Sequence, residues 1–193
     1  MSPQAMVRAG LIPAMWLAWV VYWWISARGV KPVLRREPLY SRLIYTIPLW
    51  VAVFLLAATG PMGGGLSERF LPRESWLAAL AIGLTAAGLL FAVWARRHLG
   101  GNWSGTVTIK EGHQLVTTGP YALVRHPIYT GLLLAFIGSA VAIGEWRGVL
   151  AVVVAAASFV YKLRLEERWM REQFGDAYRD YCRRVPALVP FVA

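Results

Sequence analysis

The sequence predicts an all-α integral membrane protein with about five transmembrane helices, the last two forming a tight hairpin. A long cytoplasmic connection and a C-terminal amphipathic helix complete it, with no Rossmann domain. Three observations carry this reading. The chain is 58% hydrophobic but only 16% charged, where a soluble domain carries about 25% charged residues. The deficit is concentrated in long charge-free runs. The 20 Lys and Arg, which give a net charge of +10, fall between those runs and distribute unequally over the two sides they define.

The runs come in order. Ala9–Ala27 has 19 uncharged residues, Leu43–Ser67 has 25, Ser75–Ala95 has 21, Pro127–Gly144 has 18 and Gly148–Tyr161 has 14. A helix crosses the hydrocarbon core with roughly 20 apolar residues, range about 17–25. The first four meet that length. The fifth is extended by Leu163 and Leu165, with Lys162 and Arg164 snorkelling to the headgroups. Only "EWR" separates the last two runs, which predicts the hairpin. A re-entrant or interfacial element is the competing reading for that pair. The Trp-rich first run is longer than a signal-peptide core of about 7–15 residues, so it reads as a retained span.

With five spans, Arg28–Arg42, Arg96–Arg125 and the tail from Lys162 share one side and hold sixteen Lys and Arg. Arg8, Arg69, Arg73 and Arg147 hold the other. Positive residues favour the cytoplasm, so the amino terminus is expected outside and the tail inside, in an inner or plasma membrane. The basic excess then reads as topology signal and lipid-headgroup contact, and no nucleic-acid partner is expected. The single Cys182 excludes an intramolecular disulfide.

Residues 96–126 form a 31-residue connection, "RRHLGGNWSGTVTIKEGHQLVTTGPYALVRH", and connections of that length are often functional. Two Gly-rich turns bracket "TVTIK", which alternates like a short strand. Asn102, Ser104, Lys110, His113, Gln114, Tyr121, Arg125, His126 and Tyr129 follow closely on one another. Pro127 suits a first helical turn and biases His126 toward the N-cap. Arg125 and His126 could be headgroup anchors, but their neighbours make a ligand wall the better reading. In the tail, Leu163, Glu167, Met170, Phe174, Tyr178 and Tyr181 recur on one helical face. Glu167 lies on this apolar stripe, and Glu166 lies about 100° away. A carboxylate in such a stripe either pairs with a basic group of the connection or contacts a ligand. Glu166 alone could be a solvated partner of Arg164. "GPMGGGL" lacks the strand–turn–helix setting of a nucleotide motif. Three His and one Cys give no familiar zinc pattern, so no metal is expected.

"LGGNWSGTVTIKEGHQLVTTGPYALVRHPIYTG", a hairpin, and "EERWMREQFGDAYRDYCRRVPALVP" together resemble the isoprenylcysteine carboxyl methyltransferase family, in particular its short prokaryotic members. The match covers about residues 99–191. The ordered set GHxLVxxGxY, RHPxY, EE and FGxxYxxY is more specific than any of its pieces. Spans one to three match only in number and hydrophobicity. The resemblance implies a helical membrane enzyme that uses S-adenosyl-L-methionine, with S-adenosyl-L-homocysteine as product, and a lipophilic or prenylated substrate. It puts His113, Gln114, Leu115, Val116, Gly119 and Tyr121 in a first cofactor-binding segment. Arg125, His126, Pro127 and Tyr129 form a second, and Glu166 and Glu167 close the pocket. Met170 stands where many relatives have Leu, and the additional spans of the eukaryotic enzymes are missing.

On this reading residues 1–95 are a three-helix scaffold with lipid-facing substrate access. Residues 96–193 are the catalytic region, made of the connection, the hairpin 127–161 and the tail helix. Arg125 and Glu167 are the expected catalytic residues. Arg125 would orient an anionic acceptor or the cofactor carboxylate. Glu167 would face the cationic cofactor or an amine acceptor, as a base or only a binding group. Alternatives from other classes are a phosphatidylethanolamine N-methyltransferase, a small-thiol methyltransferase, an NADPH-dependent membrane reductase and a non-catalytic scaffold.

Overall fold

A computed structural model describes residues 7–29, 32–110 and 114–190. Its helices are α1 (Ile12–Ser26), α2 (Leu39–Ala57), α3 (Ser75–Leu99), α4 (Pro127–Ile143), α5 (Trp146–Phe174) and α6 (Asp176–Arg184). Every charge-free run contains a helix, because a segment without side-chain charge is the one that hydrocarbon tolerates.

Among the described residues, three helical segments are long and apolar enough to cross a membrane: Leu39–Ala57, Ser75–Asn102 and Trp146–Phe174. α1 and α4, with 15 and 17 residues, lie just below and at the lower limit of the roughly 17–25 residues a full crossing takes. A π-helical turn, Val7–Leu11, lengthens α1 at its start.

The interface between α3 and α4 is built from small residues. A Cβ added at Gly88 would stand 2.4 Å from the Gly131 carbonyl oxygen, and one at Gly138 would stand 2.5 Å from Thr85 Oγ1. The two backbones therefore touch, as small residues allow where hydrocarbon gives helices no hydrophobic drive to associate. α2 packs on α5 through Ala52, Leu55, Ala151, Ala155 and Phe159, which form one buried cluster with Phe136 of α4.

The structure refines or corrects the expected outline in four places. The second run is helical only to Ala57. Its Gly- and Pro-rich exit folds back over the α4–α5 turn, where Trp146 N–H donates to Glu68 and Phe70 N–H to Gly144. "EWR" is more than a turn. Arg147 is 1% exposed, bonds Glu145 at 2.7 Å and caps the end of α2 at the Leu55 and Ala58 carbonyls. The last span and the tail are not separate helices. α5 continues for 29 residues, and Gly175, at φ 54°, turns the chain into α6. The fold is also not purely α-helical. The predicted extended segment supplies β2 (Thr108–Lys110), which pairs antiparallel with β1 (Val33–Arg36). Each strand is too short to stand alone, and the partners lie more than seventy residues apart in sequence.

Candidate active site

The sheet, the connection and the start of the tail gather at one end of the bundle. Between them opens a cavity of about 310 Å³, at the small end of the roughly 300–1,000 Å³ typical of ligand pockets. Trp19, Trp23, Leu49, Leu132 and Phe159 make its apolar part. Asn102, Ser104, Thr106, Gln114, Lys162 and Glu166 make its polar part.

The RHPxY stretch is held by the chain's own end. The Arg125 and His126 N–H groups donate to Pro186 and Ala187 at 2.8 and 3.0 Å, and Thr130 Oγ1 donates to Leu188 at 2.6 Å. His126 is the N-cap of α4, with Pro127 following it. Arg125 uses its whole guanidinium. Nε and Nη2 donate to Glu167 Oε1 at 2.9 and 2.6 Å, while Nη1 reaches the Cys182 and Val185 carbonyls. Arg171 adds a bond to Glu167 Oε2 at 2.9 Å.

The His126 ring lies between both glutamates, with Nε2 3.3 Å from Glu167 and Nδ1 3.5 Å from Glu166. Burial alone pushes its imidazole down. Hydrogen bonds and charge from Glu166 and Glu167 outweigh burial and hold it above its ordinary value. Tyr129 donates to Glu166 Oε1 at 2.5 Å, and its ring is stacked between His126 and Phe159.

Of the expected site residues, Gln114, Leu115, Val116, Tyr121, Arg125, His126, Pro127, Tyr129 and Glu166 all line the cavity. His113 lies outside the described residues. Gly119 and Glu167 are not on the cavity wall. Gly119, at φ +60°, lets the His98 ring pack where a Cβ would stand 2.7 Å away. His98 in turn bonds Thr118 at 2.9 Å and stacks on Tyr121. Glu167 is turned into the arginine–histidine network. Met170, Tyr178 and Tyr181 of its stripe do reach the cavity, but the Glu167 carboxylate is taken up by Arg125 and Arg171, and it is Glu166, about 100° around the helix, whose carboxylate faces the cavity.

Sequence reasoning missed Lys162. Its ammonium donates to the Gly105 carbonyl at 2.9 Å and lies 5.0 and 5.6 Å from the ring centroids of Tyr45 and Tyr129. A lone lysine ending an apolar run reads by default as a snorkelling residue. Its four-residue spacing from Glu166 was the available signal, because that spacing puts both on one helical face. The "NWS" stretch also joins the wall. Trp103 lies under the Arg96 guanidinium at 4.4 Å and meets Trp23 edge-on at 5.3 Å.

Residues 76–177 match the family model described as phospholipid methyltransferase. Protein-S-isoprenylcysteine O-methyltransferase B of Arabidopsis thaliana is 30% identical over 171 residues, which are 87% of this chain and 84% of that protein. The protein-S-isoprenylcysteine O-methyltransferase of Schizosaccharomyces pombe is 31% identical over 115 residues, 58% of this chain and 49% of that one. Among solved structures, the eukaryotic intramembrane Ras methyltransferase, an isoprenylcysteine carboxyl methyltransferase, superposes with a TM-score of 0.52. The identity is 25%, over 81% of this chain and 54% of that one. The chain thus spans most of the plant protein but only about half of the other two.

Proposed function

The chain belongs to the phospholipid methyltransferase family, with isoprenylcysteine O-methyltransferases as relatives, and on that premise we propose that it methylates the carboxylate of a lipophilic, isoprenylcysteine-type acceptor. The methyl donor of this reading is S-adenosyl-L-methionine. The observation that carries the reading is the pair Lys162 and Glu166, four residues apart on α5 and both on the cavity wall.

The residues present fit such a donor. Glu166 offers a carboxylate to a sulfonium, and Trp103 and Tyr121 offer aromatic surface to the donor's purine. Gln114, Asn102 and Ser104 offer hydrogen bonds. Bound there, the donor supplies a methyl group already activated on sulfur. The chain's own task is position and charge. Glu166, fixed by Tyr129 and His126, attracts positive charge to one point of the wall. Lys162 presents an ammonium one turn away, where a carboxylate acceptor is held without a general base. Arg125 and Glu167 hold the RHPxY segment and the tail together and thereby position His126. Trp19, Trp23, Leu49, Leu132 and Phe159 give an acceptor's apolar chain its place.

In the membrane arrangement that accompanies this reading, α1 and α4 join the three longer helices as the fourth and fifth spans, and the cavity opens to the cytoplasm. The sixteen-to-four division of Lys and Arg supports that orientation. Residues 96–193 supply most of the wall, and α1 and α2 contribute Trp19, Trp23 and Leu49. The phospholipid methyltransferase match favours a second reading, with a headgroup amine as acceptor. Lys162 argues against it, because an ammonium repels a protonated amine.

The test is calorimetric binding of S-adenosyl-L-homocysteine to the purified protein, followed by labelled methyl transfer to prenylcysteines, phosphatidylethanolamine and small thiols. Transfer to the prenylcysteine carboxylate is expected. Binding followed by transfer only to the amine or the thiol would overturn the acceptor assignment, and absence of binding would overturn the whole reading.

A further inference from the structure

We propose that Glu37, which lies in the half of the chain otherwise read as scaffold, is a positioning residue for the reaction and acts by holding two of the three groups that cradle the Lys162 ammonium, the Gly105 carbonyl and the Tyr45 ring. The inference rests on the role given to Lys162 above.

Glu37 is 6% exposed, and a buried carboxylate persists only when its oxygens are satisfied. Here they are. Oε1 accepts from the Val107 N–H at 3.0 Å and from the Tyr45 hydroxyl. Oε2 accepts from Ser41 Oγ at 3.3 Å. The Glu37 backbone N–H donates to the Val107 carbonyl at 3.1 Å. Val107 is therefore gripped on both backbone groups by one residue, directly beyond the β1–β2 ladder.

The two arms converge on Lys162. One runs through Val107 to Gly105, two residues earlier in the same stretch of cavity wall, whose carbonyl accepts from the ammonium. The other runs through Tyr45, whose ring lies 5.0 Å from that ammonium. Loss of Glu37 frees the loop carbonyl and the Tyr45 ring together. It also leaves the Val107 N–H buried without its partner. A lysine side chain has a flexible four-carbon stem, so its tip is placed only as well as the groups around it. Glu37 reaches no further toward the reaction than that, and for this reason it is a positioning residue.

The experiment uses the full chain in detergent, with Glu37→Ala, Glu37→Gln, Lys162→Met and the double variant Glu37→Ala/Lys162→Met. Lys162 reactivity toward an amine-acylating reagent is followed by mass spectrometry, a readout that needs no methyl transfer. Glu37→Ala, by freeing the amine from its carbonyl partner, is expected to raise that rate about tenfold, while Glu37→Gln, which keeps an acceptor for Val107, moves it much less. In the methyl-transfer assay Glu37→Ala is expected to lower turnover about tenfold or more, with S-adenosyl-L-homocysteine affinity within about threefold of wild type. In the Lys162→Met background the same substitution is expected to cost almost nothing further, the non-additivity of residues acting as one unit.

If Glu37→Ala leaves Lys162 labelling unchanged, or if the two losses in turnover multiply, the proposal is wrong. Should Glu37→Ala not fold, Tyr45→Phe removes one arm while keeping the ring. It must then raise Lys162 labelling by a smaller amount, about twofold to threefold, and no rise overturns the proposal. A prenylcysteine that is not methylated, with Lys162 labelling still dependent on Glu37, would mark failure of the acceptor assignment and not of this inference.

Discussion

Lys162 and Glu166 sit one helical turn apart on α5 and face the same cavity, and each makes a hydrogen bond to an uncharged group. The ammonium donates to Gly105, and the carboxylate accepts from Tyr129. One residue closer to α6, by contrast, Glu167 is closed into bonds with Arg125 and Arg171. Adjacent glutamates thus do different work. Glu167 knits the tail to the connection, and Glu166 leaves negative charge on the wall of the cavity.

Lys162→Met should separate binding from turnover. It removes the acceptor-side cation while keeping most of the stem's volume. Turnover on a carboxylate acceptor should fall about a hundredfold or more, and S-adenosyl-L-homocysteine affinity should stay within about threefold. Lys162→Arg should recover part of the loss. Steady-state kinetics beside calorimetry reads both, and an equal loss in binding would move Lys162 to the donor side.

The two glutamates should fail in different ways. Glu166→Gln should weaken donor binding and turnover in a protein that melts near wild type. Glu167→Gln should lower the melting temperature, because it leaves the Arg125 guanidinium short of its counter-charge. Breaking such a pair from one side costs about 3–5 kcal/mol when it is fully buried, here less because Arg125 is only part-buried and keeps its bonds to the Cys182 and Val185 carbonyls. Arg125→Ala should resemble Glu167→Gln. If Glu167→Gln melts normally yet abolishes turnover, the roles of the two glutamates are exchanged.

What the sequence disclosed follows the range of the forces involved. The helices were legible because the absence of charge is a local property. The meeting of RHPxY with the glutamates was legible because a hairpin of known length returns the chain to its starting level. Which of Glu166 and Glu167 meets the cavity was not. Helical geometry gives the angle between them and leaves open which neighbour each one faces. Glu37 and Val107, seventy residues apart, carry no shared pattern at all. Arg147 read as a loop charge because nothing near it in sequence reveals that the end of α2 needs a cap.

His126 gives the site a pH dependence. Its folded value is raised above the ordinary 6.5 or so, so the folded protein holds the proton more tightly than the unfolded chain. The resulting stabilisation is complete below about pH 6.5 and is lost as pH rises through the folded value. Arg125, Arg171, Glu166, Glu167 and Tyr129 are the polar groups of this network. Melting temperature in detergent should therefore decline above neutrality, and His126→Gln should flatten that decline. An unchanged profile in the variant would exclude His126 as its source.

Gly119 offers a test of the first cofactor segment that leaves every charged group in place. Its φ of +60° is one that L-residues adopt at a cost of about 1–2 kcal/mol. A methyl there would also meet the His98 ring, which is packed against Gly119 and Tyr121. Gly119→Ala should displace His98 and with it the turn that sets Tyr121 on the cavity wall. S-adenosyl-L-homocysteine affinity should fall about tenfold, a loss comparable to the strain introduced. His98→Ala removes the ring and leaves the glycine, and added to Gly119→Ala it should relieve part of the defect, because the steric conflict is gone while the backbone strain remains. Calorimetry on the three variants decides this. If Gly119→Ala binds as tightly as wild type, the 118–122 turn lies outside the donor's contact surface and the first segment must be redrawn without it.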